Sequence, residues 1–311
     1  MTHANHIFLI TFCIIAVGYI VKRLGFVTEQ DGKVLSKFLM HTTFPALMLV
    51  STVRLKLDTS LLFIPLMAFI GGCIMLTIAW FVFKKEDNGM RGLMLMGSGG
   101  FNMGLFAFPI IEGIWGRDAL AYAIMYDIGN TVVVFGLVYT LGNYFATKRT
   151  HQALNNTVLA KKIVQKVLKS MPLQGMILGL LLNVSGIGLP TLAMDFLDIL
   201  AQANKAIGVL LLGIYLNFAL SKSQVWSISK VLMIRYGCGL AAVSFCYFWI
   251  PPSVFQSIMI VCVVLPVGLT LLPFSDELQY DSRMAGVLVN MSLVISFVLL
   301  WLLVLGLGLV S

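Results

Sequence analysis

Four polar residues in apolar surroundings carry the strongest chemical signal in this sequence. Asp127 is the acidic residue deepest in an apolar stretch, residues 119–141, and Asn130 follows one helical turn later on the same face. Asn102 and Asn290 stand in two other apolar stretches. A carboxylate within a membrane is costly unless it is neutral or paired, so Asp127 could carry a proton or couple to an ion. The three amides can donate and accept hydrogen bonds, as a polar substrate requires. Hydrogen bonds that only hold neighbouring helices together are the alternative.

Two apolar stretches, one of which holds Asn102, are interrupted. Residues 90–116 are broken by a glycine-rich segment at 97–104 and then by Pro109, and residues 257–274 are broken by Pro266, Gly268 and Pro273. Lipid offers no partner for freed backbone groups, so a break at membrane depth requires protein or a wet cavity around it. Paired breaks, one in each half of a chain, are typical of secondary transporters. We therefore expect the substrate contacts to be Asn102, Gly104, Pro109, Asn130, Pro266, Gly268 and Asn290.

The ends of the broken helices suggest what would bind there. Helix N-termini present free N–H groups and a partial positive charge, which suits a carboxylate or another anion. Carbonyl groups freed near Pro109 and Pro266 could accept hydrogen bonds from a substrate or coordinate a cation. The sequence therefore predicts a small organic anion as substrate, with H⁺ or Na⁺ as a possible coupling ion.

The composition identifies the class of protein. The chain has 311 residues, of which 59% are hydrophobic and only 11% charged, and its mean hydropathy is +0.96. A soluble domain of this size could not cover its surface with so few charges, so an all-α polytopic membrane protein is predicted. Windows of roughly 20 apolar residues give about ten transmembrane helices. They lie near residues 7–21, 35–53, 61–83, 92–114, 119–144, 172–187, 206–220, 231–250, 254–272 and 284–310.

The basic residues predict the orientation. With the amino terminus outside, 17 of the 21 lysine and arginine residues fall in or beside inner loops, as the positive-inside rule expects. Arg54, Lys56, Arg117 and Lys205 remain outside or buried. The seventeen are Lys22, Arg23, Lys33, Lys37, Lys84, Lys85, Arg91, Lys148, Arg149, Lys161, Lys162, Lys166, Lys169, Lys222, Lys230, Arg235 and Arg283. Both termini are therefore expected outside the plasma (inner) membrane, with the positive net charge serving topology and not nucleic-acid binding.

One hydrophilic linker, residues 147–169, divides a single transport domain, residues 1–311, into repeats at 1–146 and 170–311. Five helices in each repeat would place the second repeat in the membrane upside down relative to the first. Proline-containing segments that lead to Asp118 and to Asp281 support this relation, and the same offset pairs Asp127 with Asn290. Coincidence is the alternative. Both Asp118 and Asp281 are expected to cap the helix that follows.

The assembled segments resemble the auxin efflux carrier family, which is related to the plant PIN-FORMED auxin exporters. The resemblance covers essentially the whole chain. It rests on residues 18–25 and 44–48, on Phe101-Asn102-Met103-Gly104 with Phe108-Pro109 and Trp115-Gly116, on residues 171–183, and on Leu265-Pro266 and Tyr280-Asp281.

The resemblance implies a fold similar to the bile acid:sodium symporters, with broken fourth and ninth helices that cross at the substrate site. It implies a scaffold of helices one, two, six and seven, a mobile core of the other six, and elevator-like alternating access. Export and a homodimer formed through the scaffold helices follow from the same resemblance.

Other classes of function find less support in the residues. The sequence has no nucleophile–base pattern, no metal-ligand spacing and no phosphate-binding loop, so neither an enzyme nor a bound cofactor or metal is expected. A non-transporting membrane sensor that binds a small anion in the same pocket is the main alternative. An intramembrane enzyme would need paired catalytic residues at one depth, and only Asp127 is a candidate.

Overall fold

The computed structural model of the protein describes residues 3–54, 61, 63–150, 156–216 and 222–309. Within these residues the chain is 84% helical and contains no strand. Seven of the helical segments in this part are long and apolar enough to cross a membrane, and two shorter apolar helices accompany them. The prediction of an all-helical, multi-pass membrane protein is thereby confirmed. Lys56, the side chains of Lys166 and Lys222, and the ends of the spans predicted at 206–220 and 284–310 lie outside the described residues.

The α-helices begin and end as follows. They are α1 (His3–Arg23), α2 (Glu29–His41), α3 (Thr43–Val53), α4 (Phe63–Val82), α5 (Asn88–Ser98), α6 (Phe108–Trp115), α7 (Leu120–Thr131), α8 (Tyr139–Arg149), α9 (Asn156–Leu168), α10 (Met171–Ser185), α11 (Thr191–Tyr215), α12 (Lys222–Trp249), α13 (Val254–Cys262), α14 (Leu271–Glu277) and α15 (Ser282–Gly306). Two π-helical turns, Met103–Ala107 and Val132–Val138, precede α6 and α8. Helix α9 lies within the predicted linker.

Side-chain caps account for several of these boundaries. Asp281 accepts a hydrogen bond from the backbone N–H of Met284 at 2.9 Å and begins α15, as predicted. The capping role predicted for Asp118 is wrong, because this residue lies inside the 3₁₀ turn Arg117–Ala119 that leads into α7. The N-cap positions are occupied by Gly116, with φ of 81°, before the turn and by Ala119 before α7, and neither start has a side-chain capping hydrogen bond.

Helix α11 begins well before the seventh span predicted at 206–220. Asp198 and Asn204 lie in the part of α11 that precedes the predicted span, and both have hydrogen-bond partners in the fold. The Asp198 carboxylate pairs with Arg54 at 2.7 Å and with Arg117, and the Asn204 side chain, fully buried, accepts a hydrogen bond from Thr43 Oγ1 at 3.3 Å. Pairing lowers the cost of placing these groups within a long helix.

The helices pack in two groups. Helix α3 packs against α10 and α11, and α1 packs against α11. In the second group α4 packs against α7, and α5 packs against α8. In the first group α10 approaches α3 closely because Gly175 has no side chain. A Cβ at this position would collide with the backbone of Pro45. The interrupted helices α5–α6 and α13–α14 carry the candidate site.

Candidate functional site

The two predicted breaks lie against each other. Helix α5 ends at Ser98, and the chain passes through Gly100, whose φ of 74° favours glycine, before it resumes as a helix at Met103. Helix α13 ends at Cys262, and the chain resumes as α14 at Leu271. Phe101 and Val267 form an antiparallel bridge, and the N–H of Asn102 donates to the carbonyl of Pro266 at 3.0 Å. Lipid offers no hydrogen-bond partner to the backbone groups that a break leaves free. Here each break supplies such partners to the other break.

Side chains from neighbouring helices hold each break in place. The Asn130 Oδ1 atom accepts from the N–H of Phe101 at 2.8 Å, and its Nδ2 donates to the carbonyl of Phe101 at 3.2 Å and to Asp127 Oδ1 at 2.9 Å. On the opposite break, Ser292 Oγ accepts from the N–H of Val267 at 2.9 Å. Sequence reasoning missed Ser292, since a serine in an apolar helix more often packs helices together.

Arg235 contradicts the topology prediction. The prediction placed it in or beside an inner loop, near the start of the span 231–250, but it lies midway along α12 with only 1% of its surface exposed. Its Nη1 donates to the carbonyls of Gly97 and Ser98 at 3.3 and 3.2 Å, and its Nη2 donates to the carbonyl of Leu265 at 3.1 Å. These carbonyls pair with both Nη atoms of the guanidinium, whereas its buried Nε has no hydrogen-bond partner among the described residues. A lone arginine inside an apolar window was the signal that could have found it.

A cavity of about 470 Å³ opens beside the crossing of the two breaks. Five of the predicted site residues line it: Asn102, Gly104, Asp127, Asn130 and Gly268. Its walls are largely apolar and include Met40, Phe44 and Met48 from α2 and α3, Val134, and Met176 from α10. The cavity thus joins a few polar groups to apolar walls, as small-molecule sites do.

Asn102 stands out among the lining residues. Its backbone is fully engaged, because the N–H donates to Pro266 and the carbonyl accepts from the N–H of Ala107 at 3.3 Å. Its side chain is 5% exposed, and its Nδ2 has no hydrogen-bond partner among the described residues. Buried polar groups normally have partners, so this donor requires an explanation, and a bound ligand is one.

Three predicted site residues lie apart from the cavity lining. Pro109 occupies the first turn of α6, where a proline is well tolerated. Pro266 contributes its carbonyl group to the crossing, where it accepts a hydrogen bond from the N–H of Asn102. Asn290 is 2% exposed and donates from Nδ2 to the carbonyl of Tyr215, itself a lining residue, at 3.1 Å. Substrate contact by these three residues stays a prediction.

The two ends of α2–α3 differ in charge and in closure. At the α2 end the cavity is lined by Lys33 and Lys37 and by Asp276, with Lys33 Nζ 4.0 Å from the Asp276 carboxylate. At the α3 end, Asp198 bridges Arg54 and Arg117. The Arg117 side chain also pairs with Glu112 at 3.2 Å. In the described part of the chain, the α2 end is therefore held by a single 4.0 Å ion pair between exposed groups and opens beside two lysines, whereas three ion pairs meet at the α3 end.

Comparison with known proteins shows similarity to membrane transporters. The family described as "Membrane transport protein" matches residues 4–304. A protein of Methanothermobacter thermautotrophicus described as an uncharacterized transporter is 27% identical over 227 residues, which cover 71% of each chain. A protein of Methanocaldococcus jannaschii with the same description is 26% identical over 232 residues, again 71% of each chain.

Proposed function

Since the chain belongs to the membrane transport protein family, to which the auxin efflux carriers belong, we propose that it moves small organic anions as a secondary transporter. Members of this family are membrane transporters and not enzymes, and both relatives are described as transporters. The observation that carries the anion proposal is the buried, unpartnered Nδ2 of Asn102, a residue that lines the cavity.

The surroundings of Asn102 suit a carboxylate with an apolar body. The apolar helix Met103–Trp115 begins immediately after it, and the first N–H groups of a helix lack intrahelical partners and carry partial positive charge. A carboxylate seated there could accept hydrogen bonds from these groups and from Asn102. The methionine and phenylalanine walls would cover the rest of the substrate, and Lys33 and Lys37 would attract anions to the entrance.

Asp127 gives the site a proton-coupling candidate. It lines the cavity and accepts a hydrogen bond from Asn130. A charged Asp127 would repel an anion, whereas a protonated one would not, so binding of the anion favours uptake of a proton. We propose H⁺ as the coupling ion, with Na⁺ as the other candidate.

The proposed mechanism is an elevator-like movement of a core against a scaffold. The fold would consist of two inverted five-helix repeats like those of the bile acid:sodium symporters. The packing supports it, because Asn102 and Asn130 come from one helix group and Phe44 and Met176 from the other. Gly104 allows the groups to approach closely, since a Cβ there would collide with the Phe44 ring.

Further proposals follow from the family resemblance and the basic residues. The protein would export its substrate across the plasma membrane, with both termini outside and the lysine-lined entrance facing the cytoplasm. It would form a homodimer through the scaffold helices α1, α2–α3, α10 and α11. The cavity open past Lys33 and Lys37 would then be an inward-facing state.

The first experiment measures thermal stabilisation of the purified protein by a panel of mono- and dicarboxylates, at two pH values, with and without sodium. A ligand at about 100 times its dissociation constant stabilises a fold by about 2.7 kcal/mol. We expect stabilisation that Asn102→Ala removes and that flux in proteoliposomes accompanies. The matched control is Asn183→Ala, which removes an amide from the α10–α3 contact, where it donates to the carbonyls of Thr52 and Val53.

Each alternative predicts a different result. Normal flux by Asn102→Ala would exclude the crossing as the substrate site. Tight binding without flux would favour a sensor. No shift with any acid would contradict an anion substrate and direct the search to neutral or cationic compounds.

A further inference from the structure

Arg235 satisfies backbone carbonyls from both broken helices at once. Gly97 and Ser98 belong to the last turn of α5, and Leu265 follows the end of α13. The guanidinium donates to all three carbonyls at 3.1–3.3 Å, and its Cζ lies 4.8 Å from the ring centroid of Phe101. The residue joins two segments of the chain that are far apart in sequence, and both end at the crossing.

The positive charge of Arg235 is balanced by the C-terminal ends of the broken helices, without a carboxylate. A helix C-terminus carries about −0.5 elementary charge, so two C-termini together offer about −1. One guanidinium matches that charge, and in the described part of the chain no aspartate or glutamate forms an ion pair with Arg235. The aromatic face of Phe101 stabilises the cation further.

Carbonyls at broken helix ends are also the ligands that many secondary transporters use for a coupling cation. Here the fold has filled that position with its own side chain. We infer that Arg235 is a built-in cation at the crossing, which replaces a mobile monovalent ion, so that the site assembles without sodium.

Arg235 is on this account a positioning residue. It cancels the negative helix ends on one side of the crossing and leaves the positive N-terminus of Met103–Trp115 to act on the cavity. The inference rests on the proposed function only for the identity of the substrate, because cation dependence of the fold can be measured with no substrate present.

The test uses the purified full-length protein in choline chloride, with sodium, lithium or methylguanidinium exchanged in at constant ionic strength. We expect the wild type to unfold at the same temperature in choline and in sodium. Arg235→Ala should unfold at a lower temperature in choline and regain several degrees when methylguanidinium or a small cation enters the vacated position. Sodium-specific stabilisation of the wild type, or no cation-specific recovery of the variant, would overturn the inference.

Two further variants keep the test decisive. Arg235→Lys retains the charge and should stay closer to wild type than Arg235→Met, which retains the length without the charge. Equal stability of these two would show that the charge is not needed and would refute the proposal even if Arg235→Ala fails to fold.

The matched control is Arg91→Ala. Arg91 also lies over aromatic rings, with its Cζ 4.5 Å from the Trp80 centroid, but it donates to a single carbonyl away from the crossing. We expect this variant to lose stability without gaining cation dependence. Recovery by the same cations would make the effect on Arg235→Ala non-specific and would overturn the inference.

Flux measurements separate this inference from the proposed function. Transport that is equal in sodium and in choline agrees with both. Sodium-dependent transport would overturn the role of Arg235 and leave a transporter. A protein without flux for any acid would remove the proposed function, while the cation dependence of Arg235→Ala would still decide the inference.

Discussion

Replacing Asn130 with alanine tests whether the crossing depends on a side-chain clamp. The amide of Asn130 satisfies both the N–H and the carbonyl of Phe101, at 2.8 and 3.2 Å, and is 5% exposed. A buried group left without a partner costs about 1–3 kcal/mol. Because side-chain hydrogen bonds in membranes average about 0.6 kcal/mol, the lower end applies. The two backbone groups of Phe101 then put the expected loss at about 2 kcal/mol, or about a 30-fold shift toward the unfolded state. The third partner of Asn130, the Asp127 carboxylate, lines the cavity and is not counted.

The assay is equilibrium unfolding of the purified protein in mixed micelles, combined with substrate binding. Ser292→Ala supplies an internal scale. It removes the acceptor of the Val267 N–H and the hydrogen bond that Ser292 Oγ donates to the Val289 carbonyl, but Val289 lies within α15, so the main loss is one unpartnered group and should cost about half as much. Asn183→Ala should lower stability through the α10–α3 contact while substrate affinity stays at the wild-type value. Asn130→Ala should lower both.

Two outcomes would refute this reasoning. Wild-type stability of Asn130→Ala would show that water or a shifted backbone satisfies Phe101 as well as the amide does. A stability loss with unchanged affinity would show that the shape of the break does not control the substrate site.

Three further predictions concern coupling, closure and entry. Flux of an anion should rise as pH falls, because a protonated Asp127 no longer repels the anion. Asp127→Asn should flatten this pH dependence of flux. An unchanged pH profile in the variant would exclude Asp127 as the proton carrier. Asp198→Ala should remove the ion pairs with Arg54 and Arg117 and loosen the α3 end. In a background without native cysteines, a membrane-impermeant maleimide should then label the buried position Ala201→Cys faster. Equal labelling rates would mean that these ion pairs do not close that end. Joint replacement of Lys33 and Lys37 by glutamine should slow anion association and weaken its salt dependence, and stopped-flow rates equal to those of the wild type would contradict electrostatic guidance.

The sequence alone determined the class of protein and the location of its breaks. Apolar runs of membrane length leave few alternatives, and glycine and proline inside such runs require compensation from the surrounding protein. The same logic singled out Asn102, Asp127 and Asn130, which the fold brings together in one cavity.

The tertiary structure alone decided which partner each polar group has. Arg235 was expected in or beside an inner loop, since its carbonyl partner in Gly97 lies 138 positions away and could not be identified from the sequence. Asn290, which the sequence offset matched to Asp127, donates to Tyr215 and lies apart from the cavity lining, while Ser292 holds the second break. Sequence composition reports how apolar a segment is on average, whereas the cost of a buried polar group depends on individual partners at hydrogen-bond distance.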